Sequence, residues 1–165
     1  MNKKGFTLTE LLAVLVILAV IMTAGSASIA GIRNRLNKNM FEKKMDLVVG
    51  AAKSWGADNI ETVNAGGASG VSRTVGFLIG TGTLETEDQV PITKYAACET
   101  ENRVGSDCIV VLNPFDKSVV NGLQIKIYEQ HNRVYACIYK NSNNKSILNE
   151  NSSWTEYNGE SYYCS

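Results

Sequence analysis

The sequence has little of what catalytic and metal sites are usually made from. It holds a single histidine, His131, which leaves a triad or a metal site without a second imidazole. The nucleotide-binding and hydrolase signatures, G-x-x-x-x-G-K-[ST] and G-x-S-x-G, are both missing. The glycine run Asn64-Ala65-Gly66-Gly67-Ala68-Ser69-Gly70 is not a dinucleotide loop, because no strand is expected to lead into it. These absences argue against an enzyme, a cofactor or a metal, and no residue is nominated as catalytic. Cysteine is confined to Cys98, Cys108, Cys137 and Cys164, no two within nine residues, which excludes the common zinc spacings. Acidic and basic side chains number 16 each, so no net field steers the chain toward nucleic acid. Charge is also missing locally. The 22 residues from Leu11 to Ile32 carry none.

That stretch is filled by Leu, Val, Ile, Ala and Met. As a helix it would span about 33 Å, enough to cross a hydrocarbon core of about 30 Å. A cleaved secretory signal is the alternative, but its apolar part is only about 7–15 residues and ends at a small-residue site. The segment from Ala24 to Ala30 is where such a cut could fall. Glu10 stands at the edge of the run, where an ionised carboxylate is costly unless a partner meets it.

The residues around Glu10 suggest that partner. Lys3-Lys4-Gly5-Phe6-Thr7-Leu8-Thr9-Glu10 resembles the class III signal of type IV prepilins and pseudopilins. In that signal a short basic leader ends in Gly, an aromatic follows, Glu comes four residues later, and a long apolar helix starts at the cut. The resemblance implies that a prepilin peptidase cleaves between Gly5 and Phe6 and methylates the new amino terminus of Phe6. Residues 1–5 would then be the leader, of type IVa-like length. Gly at the cut leaves the scissile backbone without a Cβ. Phe6 and Glu10, at i and i+4, share one helix face. The family role of the acid is to pair with the amino terminus of a neighbouring subunit during filament assembly. A charge in an apolar contact is tolerable only when paired, so such a pair sets register more than it adds stability.

By the same resemblance the protein is a structural subunit of a type IV pilus. The alternative is a minor pilin or pseudopilin serving as an adhesin, or in a secretion or DNA-uptake system. Implied partners are the prepilin peptidase, other pilin subunits, and an assembly platform with its ATPase. Implied localisation is the cytoplasmic membrane, in a single pass with the N-terminus inside, and then an extracellular filament. Lys3 and Lys4 favour that orientation, whereas Arg33, Arg35 and Lys38 beyond the other end oppose it, so the topology rests on the resemblance.

The fold expected is α+β: a long N-terminal helix over 6–57, with 6–32 as membrane span and filament core, and a β-rich headgroup over 58–165. Phe41, Met45, Val48, Ala52 and Trp55 recur at spacings of three and four, marking an apolar stripe on an amphipathic half that packs on a sheet. The basic residues between Arg33 and Lys44 alternate with apolar ones on this helix and read as a solvated face or a subunit contact. Thr23 to Ser28 is rich in small residues, which permit close helix approach, and Ala27 stands where many pilins carry proline.

The run Asn64–Gly70, within residues 58–72, reads as a flexible connector, and Thr74 as the cap of a short helix ended by Gly80 or Gly82, similar to a segment of many Gram-positive pilins. Leu123–Ile127 and Val134–Ile138 alternate apolar and polar residues, predicting a hairpin with a loop over Glu129–Arg133 and His131 at its tip. Residues 141–146 read as a loop, and Asn158-Gly159 as the turn of a tail hairpin. Trp154, Tyr157, Tyr162 and Tyr163 of that tail would serve in packing or in a partner surface. Four cysteines in an exported domain read as two disulfides, with three possible pairings. Cys98–Cys108 and Cys137–Cys164 are favoured, the second enclosing a region like the disulfide-bounded C-terminal loop of many pilins; Cys108–Cys164 is the rival.

A processing prediction follows from K-K-G-F. Membrane-derived protein analysed by intact mass and N-terminal sequencing should begin at N-methylated Phe6. A start near Ala30, or an intact Met1, would remove the prepilin reading.

Overall fold

The computed structural model describes residues 7–95, 97–98, 100–139 and 141–148, without the side chains of residues 23–28, 30 and 145. The chain divides into two compact units, Met1–Asn37 and Lys38–Ser165. One helix, α1 (Leu8–Asp58), contributes to both.

In the first unit, every large apolar side chain described from Leu8 to Met22 is exposed, among them Leu12, Leu15, Ile17 and Ile21. A helix that is apolar all round has no preferred face to bury in its own chain and needs lipid or other protein around it.

The second unit is built on the other half of α1. Phe41, Met45, Val48, Ala52 and Trp55 are all buried in one core cluster with the sheet residues Ile125, Ile127, Ala136 and Ile138. The elements after α1 are α2 (Ile60–Ala65), a 3-10 turn at Gly67–Ser69, β1 (Val71–Thr74), α3 (Val75–Gly80), β2 (Gln89–Pro91), β3 (Arg103–Val104), β4 (Asp107–Ile109), β5 (Gln124–Gln130), β6 (Arg133–Ile138) and α4 (Ser142–Leu148). Two three-stranded antiparallel sheets result, ordered β1-β5-β6 and β2-β4-β3.

The first sheet carries the core. Register places Ile125 opposite Ile138 and Ile127 opposite Ala136, while Tyr128 meets Tyr135 on the other face. Strand alternation thus turns Ile125 and Ile127 toward α1 and leaves Lys126 and Tyr128 outside. Burying each such aliphatic side chain contributes roughly 1.5–3 kcal/mol relative to exposure. The hairpin turn is shorter than the sequence suggests. It consists of His131 and Asn132 alone, both with positive φ (51° and 61°), the pattern of a two-residue turn matched to strand twist. His131 does lie at the tip.

Thr74 caps α3 by accepting a hydrogen bond from the Phe77 amide at 3.1 Å. The helix closes where the Gly82 amide, at φ 71°, donates to the Ile79 carbonyl.

Two expectations fail. The run Asn64–Gly70 within residues 58–72 is not a flexible connector: the end of α2 and the 3-10 turn occupy most of it, and β1 follows directly. The physical reason is close packing that glycine permits. Gly70 sits at φ 64°, and a Cβ there would lie 2.2 Å from the Ile127 carbonyl oxygen, so only glycine lets this backbone reach β5. Residues 141–146 are not a loop, because α4 starts at Ser142. Asn141 caps it by accepting from the Asn144 amide at 2.7 Å. The buried Asn144 side chain then donates to the carbonyls of Gln124 (2.8 Å) and Tyr139 (2.9 Å) and accepts from the Gln124 amide. Polar residues that resemble a loop are here consumed in pairing a helix start with the ends of two strands. The tail expectations, including the hairpin at Asn158-Gly159, lie outside the described residues.

Replacing Gly70 with Ala should therefore destabilise the second unit by about 2–4 kcal/mol, combining a disfavoured backbone with a backbone clash. Denaturant unfolding checks this; an unchanged midpoint would mean that the 66–70 segment is not held against β5.

Candidate functional site

The chemistry singled out in the sequence begins at the N-terminus. Gly5 and Phe6 lie outside the described residues. Glu10 is in the first turn of α1, where Thr7 and Glu10 form a reciprocal cap. The Thr7 amide and the Thr7 hydroxyl both donate to Glu10 Oε2, each at 2.9 Å, and Thr7 Oγ1 accepts from the Glu10 amide at 3.4 Å. One carboxylate oxygen is thus tied to its own helix start, and the carboxylate as a whole is exposed. An acid in this position also matches the positive end of the helix dipole. The sequence places Glu10 by its motif, and the signal for Thr7 as its partner is the T-x-x-E spacing of a capping box.

Among the described residues no helix is long and apolar enough to cross a membrane. The side chains described before residue 23 cover only part of the run from Leu11 to Ile32.

In the second unit the structure joins Cys98 to Cys108, with Cα atoms 5.8 Å apart. Both belong to a small separate cluster with Val110, over which Val90, Ile92 and Tyr95 pack. The bond braces the second sheet, whose strands are too short to hold themselves. Cys137 also takes part in a disulfide. The partner expected for it, Cys164, lies outside the described residues, as do Trp154, Tyr157, Tyr162 and Tyr163. Among the described residues no group of His, Cys, Asp and Glu is placed to hold a metal ion.

A polar junction that sequence reading missed lies beside α1. The Lys44 ammonium forms an ion pair with Asp88 and also donates to the Leu112 carbonyl at 3.1 Å. The Leu112 amide donates in turn to Asp88 Oδ2 at 3.0 Å. Three separate segments thus meet at one partly buried carboxylate. Partial burial alone pushes the Asp88 carboxyl up, but the Lys44 hydrogen bond and charge and the Leu112 amide outweigh it, and the group ends below its ordinary 3.8. No spacing rule could have found it, because the residues are far apart in sequence and none sits in a motif.

A long N-terminal helix followed by small antiparallel sheets makes a mixed α+β protein and fits the type IV pilin fold. Residues 1–26 match the family model described as the prokaryotic N-terminal methylation motif, so the chain carries the class III signal of type IV pilins and pseudopilins. No curated protein and no solved structure matches the chain.

The Asp88 junction has a pH signature. Because folding lowers this pKa, its contribution is complete above the unfolded value and is lost as pH falls through the lower folded value. Asp88→Asn should cost about 1 kcal/mol at neutral pH, in keeping with a partly buried ion pair still reached by solvent. That difference from the parent protein should shrink below the ordinary carboxylate value of 3.8. Thermal unfolding of both proteins across acidic pH tests it; a gap that persists to the most acidic point would reject the role of the ionised carboxylate.

Proposed function

We propose that this protein is a structural subunit of a type IV pilus. The observation that carries the reading is the methylation motif joined to Glu10 and to a first unit whose described large apolar side chains are exposed. Before assembly, the helix from Phe6 to Ile32 would lie in the cytoplasmic membrane, in a single pass with the N-terminus inside. A prepilin peptidase removes residues 1–5 and methylates Phe6. Assembly then exchanges lipid around the apolar helix for the helices of neighbouring subunits, so its apolar surface stays out of water throughout. What changes is the environment of the carboxylate. As lipid gives way to protein, Glu10 gains the methylated amine of a neighbour, and a mismatched register leaves both charges unpaired. The Thr7 cap occupies Oε2 and orients the carboxylate for that encounter. An assembly platform and an ATPase supply the work of extraction, and the product is an extracellular filament. The protein acts by assembly and not by catalysis.

Glu10→Val tests this reading. The variant should still be cleaved and inserted in the membrane, since the helix becomes more apolar. Its yield in sheared surface filaments should fall at least about tenfold, as expected when a desolvated charge loses its partner. Filaments at the parental level would show that Glu10 does not dock subunits.

A further inference from the structure

We propose that the groove beside α1 in the second unit receives the Ile32–Leu36 turn of α1 from a second copy of the chain, Arg33 and Arg35 of that copy meeting Glu85 and Glu87. The proposal rests on the pilus-subunit reading and names a contact for it. The groove is a cavity of about 790 Å³ with Val48, Ile79, Leu84 and Val111 in its wall. Leu47 also lines it, yet that side chain is 63% exposed, an apolar group at the edge of a finished core. Glu85 and Glu87 line the same cavity and are exposed. Neither has an ion pair among the described residues. The third acid, Asp88, is already met by Lys44, so it leaves the other two carboxylates as the groove's uncompensated charge.

The same chain carries the complement elsewhere. Ile32 and Leu36 are 60% and 55% exposed, and at i and i+4 they form one ridge. Arg33 and Arg35 are exposed and likewise without an ion pair among the described residues. At about 100° per residue, Arg33 lies on one side of that ridge and Arg35 on the other. An apolar ridge flanked by two guanidinium groups thus fits an apolar groove bearing two carboxylates. The ridge contributes burial, and the charges fix register and exclude wrong partners. Because groove and ridge are different surfaces, the contact is heterologous, the kind that extends into an open filament wherever its rotation does not close into a ring.

The test uses the full chain in cells that assemble it, with cell-associated subunit as the folding control and sheared filament as the readout. Glu85→Arg with Glu87→Arg should lower filament yield about tenfold or more, since like charges across a contact cost more than the attraction they replace. Arg33→Glu with Arg35→Glu should do the same, and all four changes together should restore most of the yield. If the arginine-bearing groove variant does not accumulate, Glu85→Gln with Glu87→Gln replaces it and should still reduce the yield. Normal filaments from either reversal, or no rescue by the combination, would overturn the contact while leaving the pilus reading intact. Loss with the groove variant alone would assign the groove to a different occupant and also overturn it. A parental chain that forms no filaments would overturn both.

Discussion

The contact between the apolar stripe of α1 and the inner face of the β1-β5-β6 sheet is the constraint on which the second unit depends. Phe41, Met45, Val48, Ala52 and Trp55 offer a helical face, and Ile125, Ile127, Ala136 and Ile138 offer a pleated one. Neither face is stable alone in water: the helix lacks a partner for its stripe, and three short strands lack a second layer. Gly56 sets how close they come, because a Cβ there would lie 2.6 Å from Ile127 Cγ2 and 2.7 Å from Val134 Cγ1. At that end Trp55 meets Phe77 edge-on, with ring centroids 5.4 Å apart. The Arg73 guanidinium covers both rings at 4.8 and 5.0 Å, closing the core with a cation that keeps contact with solvent.

Polar groups then fix what the core leaves free. Asn121, buried, accepts from the Val111 amide at 2.9 Å and donates to the Ile109 carbonyl at 3.1 Å, pairing backbone at the end of β4 and just beyond it. Asn144 does the same for the ends of β5 and β6. Lys44 and Asp88 tie the loop before β2 to α1 and to Leu112. The second sheet has little core of its own, and the Cys98–Cys108 bond supplies the constraint that burial does not. The first unit has the opposite economy. Its described large apolar side chains from Leu8 to Met22 are exposed, so its stability belongs to whatever surrounds it.

The sequence by itself determined whatever a period or a motif can encode. The stripe of α1, the hairpin of β5 and β6, the Thr74 cap and the class III signal around Gly5, Phe6 and Glu10 are all local patterns, and their physics is local. The uncharged run from Leu11 to Ile32 likewise marked an apolar N-terminal helix, and the α+β class was what the resemblance carried by that signal implied. Tertiary structure alone decided the rest. β1, β2 and β3 are two to four residues long, too short for alternation to register, and exist because a neighbouring strand satisfies their backbone. α4 is written in Ser and Asn, which favour loops until Gln124 and Tyr139 offer carbonyls for Asn144 to bind. Asp88 looks like one surface acid among many until folding brings Lys44 and Leu112 to it. Periodicity records which side of an element is apolar, but the partner of a single polar group is chosen only when distant segments meet.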